Sequence, residues 1–275
     1  MQSIQWFPGH MHRTRRQLAE LLPKTDVVIE ILDARLPAAS RNPLLHQLRG
    51  AKPCVVVLNK SDLADPGVTR AWVRHWRDHD LDVLPLVASD PKASRGVLQA
   101  ARTLAPPRNF RLRPLVLLIA GIPNVGKSTL LNTLAGRKVS LAADKAAITR
   151  APKRIHLDEE TTLYDTPGVL WPKLEDQHDA LLLAASGAIR ETALDLWTVA
   201  VGAVALLQQY YPERLKTRYG ITGDGTPEEF LWNVGKRRGC LRAGGVVDEE
   251  KAAQVLLGDL RSGKLGRISF QKPPA

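Results

Sequence analysis

Apolar residues fall along this chain in two rhythms. Short unbroken runs dominate the first two thirds: Val27-Val28-Ile29 with Ile31-Leu32, Cys54-Val55-Val56-Val57-Leu58, Val83 to Val87, and Leu115 to Ala120. Runs of this length, rich in β-branched residues and bounded by Pro, Gly, Asn or Asp, predict buried strands of a parallel sheet. Further strands are predicted at Thr161 to Tyr164 and near Arg154 to Leu157. Between them, Gly67 to Asp80 and Ala93 to Leu104 carry helical spacing, and so do the residues after Lys127. From Glu191 onward the spacing is helical throughout, with apolar positions from Leu194 to Leu207, at Phe230, Leu231 and Val234, and from Val255 to Leu260. Strands alternating with helices and then helices alone predict an α/β domain over residues 1–180 and a smaller all-helical domain over 181–275.

The strand ends carry the chemistry. Leu115 to Ala120 runs into Gly121-Ile122-Pro123-Asn124-Val125-Gly126-Lys127-Ser128-Thr129, the full G-x-x-x-x-G-K-S phosphate loop, followed by a helix. In that setting backbone N–H groups of Asn124, Val125, Gly126 and Thr129 and the helix N-terminus face phosphates. Lys127 reaches the β and γ phosphates, and Ser128 offers a hydroxyl to Mg²⁺. A triphosphate does not distinguish ATP from GTP, so base choice must lie elsewhere. Asn59-Lys60-Ser61-Asp62, at the end of the Cys54 run, supplies it: a carboxylate at Asp62 accepts from guanine N1–H and its exocyclic amine, a pattern adenine lacks. Ala88-Ser89, after Val87, fits a backbone contact to guanine O6.

Asp165-Thr166-Pro167-Gly168 stands at another strand end. Asp165 is expected to hold Mg²⁺ through water and the Gly168 N–H to sense the γ phosphate. Thr149 is the candidate switch threonine on the same metal. The order is therefore base tetrad, base backstop, phosphate loop, switch I, switch II: a P-loop GTPase fold with its motifs circularly permuted, binding GTP and GDP with Mg²⁺.

With these motifs in place, the chain resembles the YlqF/RbgA family of circularly permuted, ribosome-assembly GTPases. The resemblance rests also on Trp6-Phe7-Pro8-Gly9-His10-Met11, Asp33-Ala34-Arg35-Leu36-Pro37 and Ser40-Arg41-Asn42-Pro43. It implies GTP hydrolysis coupled to late maturation of the large ribosomal subunit, with the helical domain touching ribosomal RNA. It departs in switch I, where Ala146-Ala147-Ile148-Thr149 replaces the usual Pro-Gly-x-Thr.

Val169 occupies the position after the Gly168 glycine, where many GTPases place a water-orienting glutamine, and it can neither donate nor accept a hydrogen bond. The resemblance points to His10 as the group that positions water; an RNA-contacting histidine is the other reading. A GTP-gated RNA-binding module with incidental hydrolysis therefore stays open as an alternative. No arginine finger can be assigned, so slow hydrolysis alone and stimulation by the ribosomal particle are expected. Asn124 is where related loops coordinate K⁺, which makes a K⁺ requirement a hypothesis.

The net charge of +11 and pI near 9.9 imply a polyanionic partner larger than a nucleotide, with RNA the natural one. Basic residues gather at Arg13-Arg15-Arg16, Arg108-Arg111-Arg113, Lys236-Arg237-Arg238 with Arg242, and Lys264-Arg267-Lys272. Cys54 and Cys240 have no metal-site spacing and are expected as free thiols, with no disulfide-linked partner. Neither a cleavable leader nor an apolar stretch of membrane-spanning length is evident, so a cytoplasmic location and no membrane partner are expected.

Overall fold

The computed structural model describes residues 11–139, 152–168, 176–189, 195–222 and 224–274, without the side chains of residues 11–14. The elements, in chain order, begin with α1 (Met11–Leu21), β1 (Val27–Asp33), α2 (Pro37–Ser40), α3 (Pro43–Arg49), β2 (Cys54–Asn59), α4 (Pro66–Arg77) and β3 (Asp82–Pro85). They continue with α5 (Pro91–Leu104), β4 (Leu115–Gly121), α6 (Lys127–Ala135), β5 (Lys153–His156) and β6 (Thr161–Asp165). Last come α7 (Gln177–Ser186), α8 (Leu196–Tyr210), α9 (Pro212–Tyr219), α10 (Pro227–Arg237) and α11 (Glu249–Arg261).

The chain divides into two compact units. One holds the described elements from α1 to β6 and also the tail that begins at Gln271; the other holds α7 to α11 and ends at Phe270. The boundary expected at residue 180 falls inside α7, which lies whole in the helical unit. The Leu181-Leu182-Leu183 run is the middle of a helix that starts earlier, where the Asp176 carboxylate accepts the His178 N–H at 2.7 Å.

The sheet has the order β3-β2-β1-β4-β6-β5, parallel except for β5. The chain steps outward from β1 to β2 to β3, then returns to the other side of β1 with β4. The reversal between β1 and β4 is where an open α/β sheet leaves a crevice at its carboxyl ends. β1 and β2 are buried at every residue, which is why their apolar runs do not alternate. Leu18, Leu45, Trp72 and Trp76 from α1, α3 and α4 pack with Val28, Leu32, Val56, Leu58, Leu118 and Ala120. α5 and α6 pack on one another and on β1, β2 and β4.

β3 stops at Pro85, short of the Val87 expected, although the Leu86 N–H still reaches Leu58 O at 3.0 Å. It is one of the sheet's two edge strands, where a proline without an N–H is tolerated. α4 and α5 start earlier than their apolar spacing suggests. Asp65 and Asp90 accept two backbone N–H groups each, and the proline after each occupies the first helical position.

In the helical unit α8 packs against α7, α9, α10 and α11, so it is apolar on nearly every side. Its polar centre is Asp259: Arg218 binds the carboxylate through two nitrogens at 2.8 and 3.0 Å, and the Tyr219 hydroxyl donates at 3.1 Å. Burial, helped by the neighbouring carboxylate, pushes the Tyr219 phenol well above its usual range. Among the described residues no helix is long and apolar enough to cross a membrane.

Candidate nucleotide site

The carboxyl ends of β1, β2, β4 and β6 meet in one place, and a single buried side chain ties three of the sequence motifs together there. Asn59 closes β2. Its Nδ2 donates to Val125 O in the phosphate loop at 2.7 Å, and its Oδ1 accepts the Ala88 N–H at 2.8 Å. With both ends of the amide used and only 4% of the residue exposed, Asn59 holds loop, tetrad and backstop in fixed register. Gly126 makes this possible. Its φ of +107° is a left-handed conformation, and a Cβ there would lie 2.1 Å from Asn59 Nδ2.

Ala88's amide is therefore spent on Asn59. Ser89, the other member of the pair, is exposed. Lys60 takes a left-handed φ of +60°, and Asp62 lies on the surface beyond it. Asn124 projects outward at φ +55° at the tip of the phosphate loop.

Lys127 begins α6 and turns its ammonium inward, donating to Gly121 O at 3.0 Å and Ile122 O at 2.8 Å. Burial lowers its pKa to about 8, while the Asp165 carboxylate opposes the shift. Asp165 itself is buried at the end of β6. Thr166 is fastened to β4 by its hydroxyl, which donates to Ile119 O at 2.7 Å. Gly168 then lies over the loop: a Cβ there would stand 2.9 Å from both Lys127 Nζ and Pro123 Cα, so only glycine fits this approach. Ser128 and Thr129 form the first turn of α6. The candidate groups Asn59, Lys60, Asp62, Ala88, Ser89, Asn124 to Thr129, Asp165 and Gly168 thus belong to one rim of one sheet. His10, Thr149 and Val169 lie outside the described residues.

Two residues beside the tetrad, Asp33 and Arg35, had no chemical role from sequence. Asp33 ends β1 directly opposite Asn59, and its carboxylate accepts from Arg35 Nε at 2.9 Å, Arg35 Nη2 at 2.7 Å and Lys60 Nζ at 2.9 Å. The signal available was an acidic residue closing a strand whose other residues, Glu30 apart, are apolar.

The basic clusters are not uniformly free. Arg108 binds Asp26 through both terminal nitrogens and donates to Pro114 O at 2.9 Å, while Arg111 reaches Glu160. This pair pins the prolyl segment to the sheet. Arg237 donates to Tyr219 O, Arg238 lies over the Tyr219 ring, and Lys264 is 3.6 Å from Asp259. Lys236 to Arg238 nevertheless stay exposed, as do Arg267 and Lys272. Cys240 is buried, and burial in β2 pushes the Cys54 thiol up to about 12.

Residues 116–219 match the family model described as 50S ribosome-binding GTPase. A Bacillus cereus protein named Ribosome biogenesis GTPase A is 42% identical, over 98% of this chain and 94% of that protein. A Thermotoga maritima protein of the same name is 29% identical over 98% and 95%. The crystal structure of GNP-bound YlqF from T. maritima superposes with a TM-score of 0.70 at 27% identity, covering 95% of this chain and 98% of the other. The GDP-bound structure gives the same score, over 94% and 99%.

Proposed function

Since the chain belongs to the ribosome biogenesis GTPase A family, we propose that its strand-end site binds GTP and hydrolyses it during late assembly of the large ribosomal subunit. The observation that carries this reading is Asn59, whose one amide joins the base tetrad, the backstop and the phosphate loop. Asp62 reads guanine N1–H and the exocyclic amine, Ser89 N–H meets O6, and the N–H groups of Asn124 to Thr129 cradle the phosphates. When phosphates arrive, Lys127 exchanges two loop carbonyls for phosphate oxygens, a stronger charge-assisted partner.

Ser128, Asp165 and Thr149 are oxygen donors of the kind Mg²⁺ prefers, and the described residues gather no cluster of three or more His, Cys, Asp or Glu. They would share the ion with phosphate oxygens, and the ion would neutralise charge developing on the transferred phosphoryl. Asn124 would hold K⁺. His10 positions the water, a task Val169 has no polar group to perform. The partner is the large subunit and its RNA, with exposed Lys236, Arg237 and Arg238 among the phosphate contacts and the cytoplasm as the setting. That reading is supported by the 50S description of the matching family model and by the charge of +11.

Titration calorimetry with GTP and ATP tests the base assignment, and equal affinities would end it. Sedimentation with purified large subunits in GDP and in a GTP analogue tests the partner and its gating. Turnover in K⁺ and in Na⁺ at equal ionic strength tests Asn124, and His10→Ala should abolish particle-stimulated turnover while nucleotide binding persists.

A further inference from the structure

The least exposed charged cluster in the sheet unit lies beside the base tetrad. Asp33 is 1% and Arg35 2% exposed, and the guanidinium grips the carboxylate through Nε and Nη2. The Arg35 N–H also donates to Asp33 Oδ1 at 3.1 Å, and the Asp33 N–H to Ser40 Oγ at 3.1 Å, so the turn after β1 is tied down on every side. Two charges removed this far from water gain little net stability from pairing, because desolvation consumes most of the attraction; what such a pair supplies is defined geometry.

The geometry leads to the tetrad. Asp33 pairs with Asn59 across the sheet, the Ala34 N–H donates to Asn59 O at 2.9 Å, and Asp33 Oδ2 accepts Lys60 Nζ at 2.9 Å. Lys60 has a left-handed backbone, which costs a non-glycine residue energy unless its surroundings hold it. We propose that Asp33 is a positioning residue for guanine recognition: held by Arg35, it anchors the Lys60 ammonium and so fixes the course of its stem. It does not touch the nucleotide. It acts through the Lys60 side chain, and the inference rests on the tetrad being the base reader.

Calorimetry with GDP, ADP and pyrophosphate tests this, since pyrophosphate engages the phosphate loop alone. Asp33→Asn is expected to weaken GDP about tenfold and to shrink the GDP-to-ADP preference with it, while pyrophosphate stays within about twofold. A purely structural role would weaken all three together and leave the preference unchanged. In the Lys60→Met background, where the ammonium is gone, adding Asp33→Asn should cost less than about twofold more in GDP affinity. Asp33→Glu keeps the ion balance and moves the carboxylate by one methylene, so it carries the test should the Asn variant fail to fold; its expected loss is likewise confined to GDP. Retained GDP affinity and preference in a folded Asp33 variant, or full additivity with Lys60→Met, would overturn the proposal. A wild-type protein with no preference for GDP over ADP would instead remove the reading of the tetrad on which it stands.

Discussion

Replacing Asn59 by Asp changes one heavy atom and removes one hydrogen bond. The carboxylate still accepts the Ala88 N–H, but it has no donor for Val125 O, 2.7 Å away, and faces that carbonyl with like partial charge. A buried acceptor left unmade costs about 1–3 kcal/mol. In the free protein the phosphate loop can relieve this cost by exposing Val125 O to water, so the penalty returns when phosphates require the loop in place. At about 1.4 kcal/mol per decade, GDP affinity should fall about 5- to 150-fold. Pyrophosphate affinity should fall alongside it, because Val125 belongs to the loop and not to the base reader. Asn59→Ala orphans the Ala88 N–H as well and should exceed Asn59→Asp on both ligands. Calorimetry gives the affinities and urea unfolding monitors the fold. Should both variants bind GDP within twofold of wild type, the claim that this amide holds the loop in its binding shape is refuted.

Gly126→Ala combines a left-handed φ with a Cβ 2.1 Å from Asn59 Nδ2, so GDP and pyrophosphate binding should both drop below detection by calorimetry; retained binding would show that the loop can move aside. Asp33 is desolvated by burial, yet Arg35 and then Lys60 hold its carboxyl far below the usual range. A depressed carboxyl contributes stability that is present above its unfolded pKa of about 4 and is lost as pH falls toward the folded value. Acid unfolding followed by circular dichroism should therefore be shallower below about pH 4 in a folded Asp33→Asn variant, and parallel curves would contradict the assignment. Gln271→Ala removes the Oε1 that accepts the Ala39 N–H at 2.9 Å while the main-chain acceptor for Trp72 Nε1 remains. It should cost about 1–3 kcal/mol and speed amide exchange at Ala39 without changing exchange in α8; equal exchange at Ala39 would show that the tail does not fasten α2.

Much of this protein is decided by short stretches of chain. The strands at Cys54–Asn59 and Leu115–Gly121 form because five or six successive apolar residues leave no polar face, and the phosphate loop follows from glycines whose conformations are set locally. The motif order that marks the permuted fold is a property of the chain alone. The helix starts at Pro66 and Pro91 are equally local, since Asp-Pro pairs carry cap and first position together.

Other features depend on residues far apart in the chain, and no spacing rule reaches them. Asn59 and Val125 are joined only because β2 and β4 flank β1, and Arg108 finds Asp26 only once the prolyl segment folds back on the sheet. That pair turns an arginine of an apparent RNA-binding cluster into a structural cation. Ala88 is likewise indistinguishable from Ser89 as a base contact until its amide is seen to be used by Asn59. Local sequence thus determined which groups could serve, because strand runs, glycine turns and caps involve neighbours. The tertiary structure decided which of them are already occupied, because a hydrogen-bond donor's availability depends on whatever the fold brings within 3 Å of it.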